Sequence, residues 1–369
     1  MPAYSSHKTS AWPLALIYAA LVIYASLYPF ADWRDQGIAP WAFLSAPLPK
    51  YWTGFDLVTN VAGYAPLGFL LALSGLRTRR IARPVWAATL ACVLLSGVME
   101  TLQSYLPVRV PSNLDLALNS AGAAIGAILA NLLERLGAID HWSRWRDRWF
   151  VAQARGALVL LALWPFALLY PPAVPLGLGQ VLERAEASLA ELLQDSPFLD
   201  FMPLRTVELQ PLVASAEVVC VMLGALIPCL LAYGIVRGRR RRALFMLAIF
   251  GIGILASGLS AALSYGPMHA WAWLEAPVQV GLALALLLAL ALLFAPMRAC
   301  SALLLLCLGI YLGVLNQAPA SAYFAQTLQT WEQGRFIRFH GVGQWLGWLW
   351  PYAALAYVLA EIWTREPDS

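Results

Sequence analysis

The sequence predicts an all-α integral membrane protein, a polytopic helical bundle of about ten transmembrane helices with both termini in the cytoplasm. Of its 369 residues, 61% are hydrophobic and only 12% are charged, whereas soluble domains carry about a quarter charged residues. Apolar runs of roughly 20 residues, the length that crosses a bilayer, recur along the chain. Arginine-rich loops alternate with arginine-poor loops. These observations exclude a water-soluble globular domain.

Ten apolar runs account for the predicted helices. They lie at about 12–30, 56–75, 84–104, 114–134, 156–172, 209–236, 243–265, 273–296, 299–316 and 343–362. The fifth run is the least regular, because Pro165 interrupts it and Pro171–Pro172 end it. The first run is expected to remain as a helix, since "YASLYPF" is a poor signal-peptide cleavage site.

The distribution of positive charge predicts the orientation. If the amino terminus is cytoplasmic, 17 of the 24 Lys and Arg residues face the cytoplasm. Most of them lie in three loops, "RTRRIAR", "ERLGAIDHWSRWRDRWF" and "RGRRRR". Short cytoplasmic loops of membrane proteins are enriched in Lys and Arg. The sequence therefore predicts a multi-pass protein of the bacterial plasma membrane with both ends inside.

The segments between the spans suggest how the chain is divided. A four-helix membrane domain is expected at 12–135 and a six-helix extension at 156–362. The linker at 136–155 contains "HWSRWRDRWF", whose alternating Trp and Arg predict a cytoplasmic helix on anionic lipid and not a nucleic-acid interface. Amphipathic helices are also expected on the outer side at 178–193 and 327–340.

Polar residues follow a helical spacing in the second, third and fourth spans. Asp56 and Asn60, and likewise Asp115 and Asn119, lie four residues apart, so each pair shares one helix face. In the predicted orientation all three helices carry these groups at their outer ends. The sequence therefore predicts one outward-facing polar pocket. The residues expected to bind a ligand there are Asp56, Asn60, Glu100, Gln103, Arg109, Asp115 and Asn119.

A purely architectural role for these residues stays open. Carboxylates in the first turn of a helix stabilise free backbone amides, and Ser112 is placed to be the N-cap of the fourth span. Asn side chains also bridge membrane helices by hydrogen bonds of about 1 kcal/mol. Close helix packing is expected at four positions, Pro66, Gly68, Gly122 and Gly126.

The stretches "DLVTNVAGYAPLGFLL" (56–71) and "ETLQSYLPVRVPSNLDLALNSAGAAIG" (100–126) together resemble the VanZ-like family of bacterial membrane proteins. The resemblance consists of an Asp–Asn helix with Pro-x-Gly-Phe, then Glu-x-x-Gln, a Pro-x-Arg loop, and Asp-x-x-x-Asn-x-x-Gly. It covers about a third of the chain. The family takes its name from a protein that raises resistance to the glycopeptide antibiotic teicoplanin, so the resemblance implies a role in the cell envelope.

Three functions remain open at this level. The first is binding of a membrane-lipid headgroup, a lipid-linked cell-wall precursor or a glycopeptide, in which Arg109 would contact an anionic group. The second is an enzyme acting on an outer-leaflet lipid headgroup, with Glu100 and Asp115 as acid–base candidates. The third is a transporter or a scaffold, for which Glu217 is a candidate proton-coupling residue.

No cofactor or metal site is expected. The four histidines are far apart, and the five cysteines show no Cys-x-x-Cys spacing. Each cysteine falls within or beside an apolar run, as small buried hydrophobic residues do. Membrane lipids are therefore the partners that the sequence predicts most directly.

Overall fold

The computed structural model describes residues 11–28, 30, 32–49, 54–78, 81–170, 172–194, 196–198, 209–319 and 337–364, without the side chains of 55, 56, 337–342 and 364. Within these residues it contains twelve α-helices, two short 3₁₀-helices and no strand. The all-α prediction is confirmed. The chain forms two compact units, Met1–Trp145 and Arg146–Ser369.

The first unit contains four apolar helices and the start of a fifth helix. The helices are α1 (Ala11–Leu27), α2 (Gly54–Thr78), α3 (Pro84–Gln103), α4 (Asn113–Arg135) and α5 (Ala138–Trp149). Pro84 occupies the first position of α3, where proline favours the start of a helix. Ser112 is the N-cap residue of α4. The predicted N-cap is confirmed, because the Ser112 hydroxyl accepts the backbone N–H groups of Leu114 and Asp115.

The most extensive packing in the first unit joins α2 and α4, and α3 packs against both helices. Helix α1 completes the unit, with the Tyr18 hydroxyl donating to the Gly63 carbonyl at 3.0 Å. At the other end, Arg77 of α2 forms ion pairs with Glu134 at 3.0 Å and Asp140 at 2.8 Å. These contacts attach the start of α5 to the ends of α2 and α4.

The second unit contains seven further helices. They are α6 (Arg155–Leu168), α7 (Leu182–Leu192), α8 (Ala214–Ile235), α9 (Arg239–Tyr265), α10 (Ala276–Leu292), α11 (Met297–Leu315) and α12 (Ile337–Thr364). Helix α8 is the most buried of them and packs against α6, α9, α10 and α11. The buried Arg242 donates to the carbonyls of Leu293 and Ala295 at 3.2 and 2.6 Å, and so satisfies the carboxyl end of α10.

Two predicted boundaries in the second unit are wrong. Helix α6 ends at Leu168, and α7 begins at Leu182 instead of near 178. Residues 174–179 instead form a buried non-helical segment. Its backbone carbonyls are bonded by side chains of other helices: Tyr311 donates to Leu176 at 2.7 Å and Asn316 donates to Gly179 at 3.2 Å. Asn316 Oδ1 also accepts the N–H groups of Val181 and Leu182, just after the segment, each at 3.1 Å.

Two further predicted segments also differ. The sixth span begins at Ala214 and not at 209, so Glu217 lies in the first turn of α8 instead of deeper in the helix. Residues 327–336 of the predicted outer helix lie outside the described residues, and residues 337–340 are the start of α12.

Six of the described helices are long and apolar enough to cross a membrane, namely α2, α3, α4, α8, α9 and α11. Three others are apolar but shorter: α1 and α10 have 17 residues and α6 has 14. Large apolar side chains point away from the protein on these helices; on α3, Trp86, Leu90 and Leu94 are more than half exposed. Such surfaces are expected of helices that face lipid. The protein is a multi-pass membrane protein.

Candidate functional site

Three glycines bring α2 and α4 into backbone contact and so set the geometry of the site. A Cβ atom on Gly122 would lie 2.2 Å from the Val61 carbonyl oxygen, and one on Gly126 would lie 1.9 Å from the Ala65 carbonyl oxygen. From the opposite side, a Cβ on Gly68 would lie 2.1 Å from the Ala123 carbonyl oxygen. Small residues at such positions allow the closest approach of membrane helices.

Pro66 lies inside α2, between Ala65 and Gly68, both of which contact α4. Because proline has no backbone N–H, the carbonyl of Ala62 lacks its usual helical donor. Membrane helices tolerate such a residue where neighbouring helices pack closely. The helix-packing role predicted for the glycines therefore has a direct geometric basis, and Pro66 falls within the same interface.

The first layer of polar contacts lies where α2 and α4 begin and α3 ends. The Asn60 amide donates to Asp115 Oδ1 at 2.8 Å, which joins α2 to α4. Glu100, only 3% exposed, accepts the backbone N–H of Ser112 at 2.8 Å through Oε2. The carboxylate thus accepts the backbone N–H of the N-cap residue of α4. In a capping box, the side chain that accepts this N–H comes from the third residue of the same helix.

Gln103 and Arg109 lie beside this layer but are directed towards α1. The Gln103 amide donates to the Ser26 carbonyl at 3.0 Å. Arg109 Nη2 donates to the carbonyls of Ala25 and Tyr28 at 3.1 and 2.8 Å. The last carbonyls of a helix have no partner within the helix. These two side chains therefore bond the carboxyl end of α1, and their predicted contacts with a ligand stay a prediction.

A second layer lies one helical turn deeper. The Asn119 amide donates to the Ser96 hydroxyl at 2.9 Å, and both residues are buried. Tyr64 is buried as well, and its hydroxyl lies near Glu100 and beside Ser96, with which it can share a hydrogen bond. Asn119 Oδ1 is buried and has no hydrogen-bond partner among the described residues.

The two layers form one polar cluster, which consists of Asn60, Tyr64, Ser96, Glu100, Asp115 and Asn119. Each helix contributes two residues four positions apart, so one face of each helix supplies both layers. The residues expected from the sequence to bind a ligand include neither Tyr64 nor Ser96. The signal for both was the same four-residue spacing, Asn60 to Tyr64 and Ser96 to Glu100.

Asp56 lies in the first turn of α2, but its side chain is outside the described part of the chain. Among the described residues, no group of three or more His, Cys, Asp or Glu side chains is arranged to hold a metal ion. The five cysteines are buried free thiols. The chemistry that the cluster offers is therefore hydrogen bonding by hydroxyl and amide groups around one buried carboxyl group.

Residues 4–134 match the model of the VanZ/LLP1 family, and this region contains every residue of the polar cluster. No curated protein and no solved structure matches the chain.

Proposed function

We propose, on the premise that residues 4–134 form a VanZ-like region, that this multi-pass membrane protein binds the polar headgroup of an amphipathic molecule at its polar cluster. The ligand classes are those named above: a membrane lipid, a lipid-linked cell-wall precursor or a glycopeptide-type antibiotic. All of them present hydroxyl, amide or phosphate groups at the membrane surface. The remaining helices are an extension of this VanZ-like region.

The proposed topology has ten membrane-crossing helices in the plasma membrane and both termini in the cytoplasm. In addition to the six long apolar helices, it uses α1, α6, α10 and α12. At 1.5 Å per residue the 17-residue helices are about 26 Å long, which is near the lower limit for a bilayer. In this orientation the polar cluster lies at the outer end of the first unit.

One buried acceptor of the second layer, Asn119 Oδ1, carries the proposal. A buried polar atom without a hydrogen bond costs about 1–3 kcal/mol. Here Asn119 Oδ1 is such an atom, and the buried Tyr64 and Glu100 belong to the same cluster. A headgroup that donates to Asn119 Oδ1 and bonds the Tyr64 hydroxyl would remove that penalty.

Roles within the site follow from the contacts. Tyr64, Asn119 and Glu100 would contact the headgroup, while the Asn60–Asp115 hydrogen bond keeps α2 and α4 in register. Gln103 and Arg109 act as positioning residues through α1. Asp56 would extend the site by one turn, since it lies four residues before Asn60 on α2.

The test uses Tyr64→Phe, which removes only the hydroxyl group. The full-length protein and the variant would be purified in native-lipid nanodiscs, and the bound lipids and precursors identified by mass spectrometry. We expect one class to be enriched with the wild type and lost with Tyr64→Phe. Ser120→Ala is the matched control, because that hydroxyl donates to the Leu116 carbonyl at 2.6 Å within its own helix.

An architectural cluster gives the opposite result. Replacing the buried Tyr64 hydroxyl by hydrogen would then change the free energy of unfolding and leave the lipid profile unchanged. That outcome would overturn the proposal. Thermal unfolding measured on the same samples separates the two outcomes.

The second candidate function is acid–base catalysis on the bound headgroup, for which the buried Glu100 is the observation. A carboxyl group buried beside hydroxyl groups is a common catalytic arrangement. Turnover of the enriched lipid by the wild type that disappears in Glu100→Gln, with binding retained, would favour this function over binding alone. A transporter or scaffold function remains the third alternative.

A further inference from the structure

The second unit contains a cavity of about 410 Å³ at the end where α6 and α9 finish and α8 and α10 begin. Ligand sites for small molecules are typically about 300–1,000 Å³. One wall is the segment before α7, in which Leu176 has a φ of 60°, a left-handed conformation that is costly for a branched residue. The Tyr311 hydroxyl donates to the Leu176 carbonyl at 2.7 Å and holds this wall in place.

The charges in this cavity are all of one sign. Glu217, in the first turn of α8, and Glu275, at the N-cap position of α10, both line it, and no Lys or Arg does. The two carboxylates are close enough to repel each other. Neither side chain forms a hydrogen bond or an ion pair with the part of the chain that the structure describes, and Glu275 does not cap its helix. The cavity therefore favours a cation.

The remaining walls are aromatic or weakly polar. Trp273 and Tyr265 line the cavity together with His269 and the hydroxyl groups of Ser257 and Ser260. The Trp273 N–H is bonded to the Ala270 carbonyl at 3.1 Å, so the indole offers a ligand its aromatic ring and not its N–H group. An aromatic face attracts an organic ammonium group by the cation–π interaction, and a nearby carboxylate adds charge pairing.

A metal ion fits this lining less well. Calcium takes six to eight oxygen ligands, and magnesium requires near-octahedral geometry. Glu217, Glu275 and His269 are not arranged as a metal-binding group, and none is found in the described residues. An organic cation needs only one or two carboxylates and an apolar or aromatic wall. The chemistry of the lining thus distinguishes an ammonium group from an inorganic cation.

We propose that this cavity is a binding site for an organic ammonium group, held between the carboxylates of Glu217 and Glu275 with its carbon atoms against Trp273. Two sources share that chemistry, the headgroup of an aminophospholipid and a free small amine. The site lies in the second unit, outside residues 4–134, and does not depend on the function proposed for the polar cluster.

The first experiment measures binding of ethanolammonium chloride to the purified full-length protein in detergent by calorimetry, with sodium chloride of equal ionic strength as the reference. We expect saturable binding by the wild type. The double variant Glu217→Gln/Glu275→Gln should bind at least about tenfold more weakly, a loss of about 1.4 kcal/mol. Glu191→Gln, an exposed acidic residue on α7, should bind like the wild type.

A second variant covers the case in which the double substitution impairs folding. Ala272, an exposed residue on the cavity lining, can be replaced by Trp to fill the entrance without removing a charge. We expect Ala272→Trp to lose ethanolammonium binding with an unchanged unfolding temperature. The proposal would be overturned if the wild type showed no saturable binding of ethanolammonium, or if both variants bound it as the wild type does. Preferential binding of calcium would overturn it as well.

A nanodisc comparison distinguishes the two sources. If phosphatidylethanolamine is the natural ligand, its presence in the bilayer should weaken binding of free ethanolammonium relative to bilayers of phosphatidylglycerol alone. If the two bilayers give the same affinity, the natural ligand is a free amine. Either result supports an ammonium site, because both require the same two carboxylates.

Discussion

The side-chain amide of Asn60 donates a 2.8 Å hydrogen bond to Oδ1 of Asp115, and this contact joins the second turn of α2 to the first turn of α4. It lies just beyond the stretch in which Gly122 and Gly126 bring the two backbones together. Polar pairing at the end of the interface and close packing along it thus cooperate. The polar cluster depends on both, because its members come from different helices.

The Asn60–Asp115 pair should contribute measurably to stability. In a double-mutant cycle with Asn60→Ala and Asp115→Ala, we expect a coupling free energy of about 1 kcal/mol, as is typical of hydrogen bonds between membrane helices. The free energy of unfolding would be measured by denaturant titration. Asn131→Ala on the same α4 is the control and should show no coupling to Asn60. A coupling near zero would mean that the contact has no energetic weight.

The α2–α4 interface should not tolerate a larger residue. In Gly126→Val the new side chain would collide with the Ala65 carbonyl, because even a Cβ would lie 1.9 Å from it. We expect a loss of roughly 2 kcal/mol or more in the free energy of unfolding. Gly97→Ala on α3 is the control, since a Cβ there meets nothing within 4 Å. That variant should be as stable as the wild type, or more stable.

Arg109 should control the carboxyl end of α1. Removing its side chain in Arg109→Ala leaves the Ala25 and Tyr28 carbonyls without these donors. We expect hydrogen exchange at the Tyr28 amide, which bonds the Tyr24 carbonyl, to become roughly tenfold faster as the last turn opens. Arg34→Ala, which removes an exposed side chain, should leave this exchange rate unchanged. Equal rates in both variants would contradict the fastening role.

Asn316 should be the most sensitive polar residue of the second unit. Its side chain accepts the N–H groups of Val181 and Leu182 and donates to the Gly179 carbonyl at 3.2 Å. Asn316→Ala leaves the two N–H groups without this acceptor, while the Gly179 carbonyl keeps the Tyr352 hydroxyl at 3.1 Å. We therefore expect a loss of about 2 kcal/mol in the free energy of unfolding. Gln317→Ala, at the exposed neighbouring position, should cost less than about 0.5 kcal/mol.

The topology can be tested by cysteine labelling, because all five native cysteines are buried. An impermeant thiol reagent added to intact cells should label Ser45→Cys and Glu191→Cys. It should label His141→Cys and Arg240→Cys only after the membrane is opened. Labelling of His141→Cys in intact cells would reverse the orientation and place the polar cluster at the cytoplasmic end.

The helical fold, the polar faces and the small-residue interface were readable from the sequence. Each depends on local periodicity: a four-residue spacing places Asn60 and Tyr64, or Asp115 and Asn119, on one face whatever the rest of the chain does. The N-cap at Ser112 was readable for the same reason, since a cap involves only the next three residues.

Only the tertiary structure decided which of these polar groups are already satisfied. Arg109 contacts the Ala25 carbonyl 84 residues away, and Asn316 contacts the Val181 amide 135 residues away. No periodic pattern encodes such contacts, because they depend on which helix ends lie side by side after packing. The buried segment before α7 and the acidic cavity beside it arise in the same way. The sequence alone determined where polar groups lie along each helix, and packing decided which partners they meet.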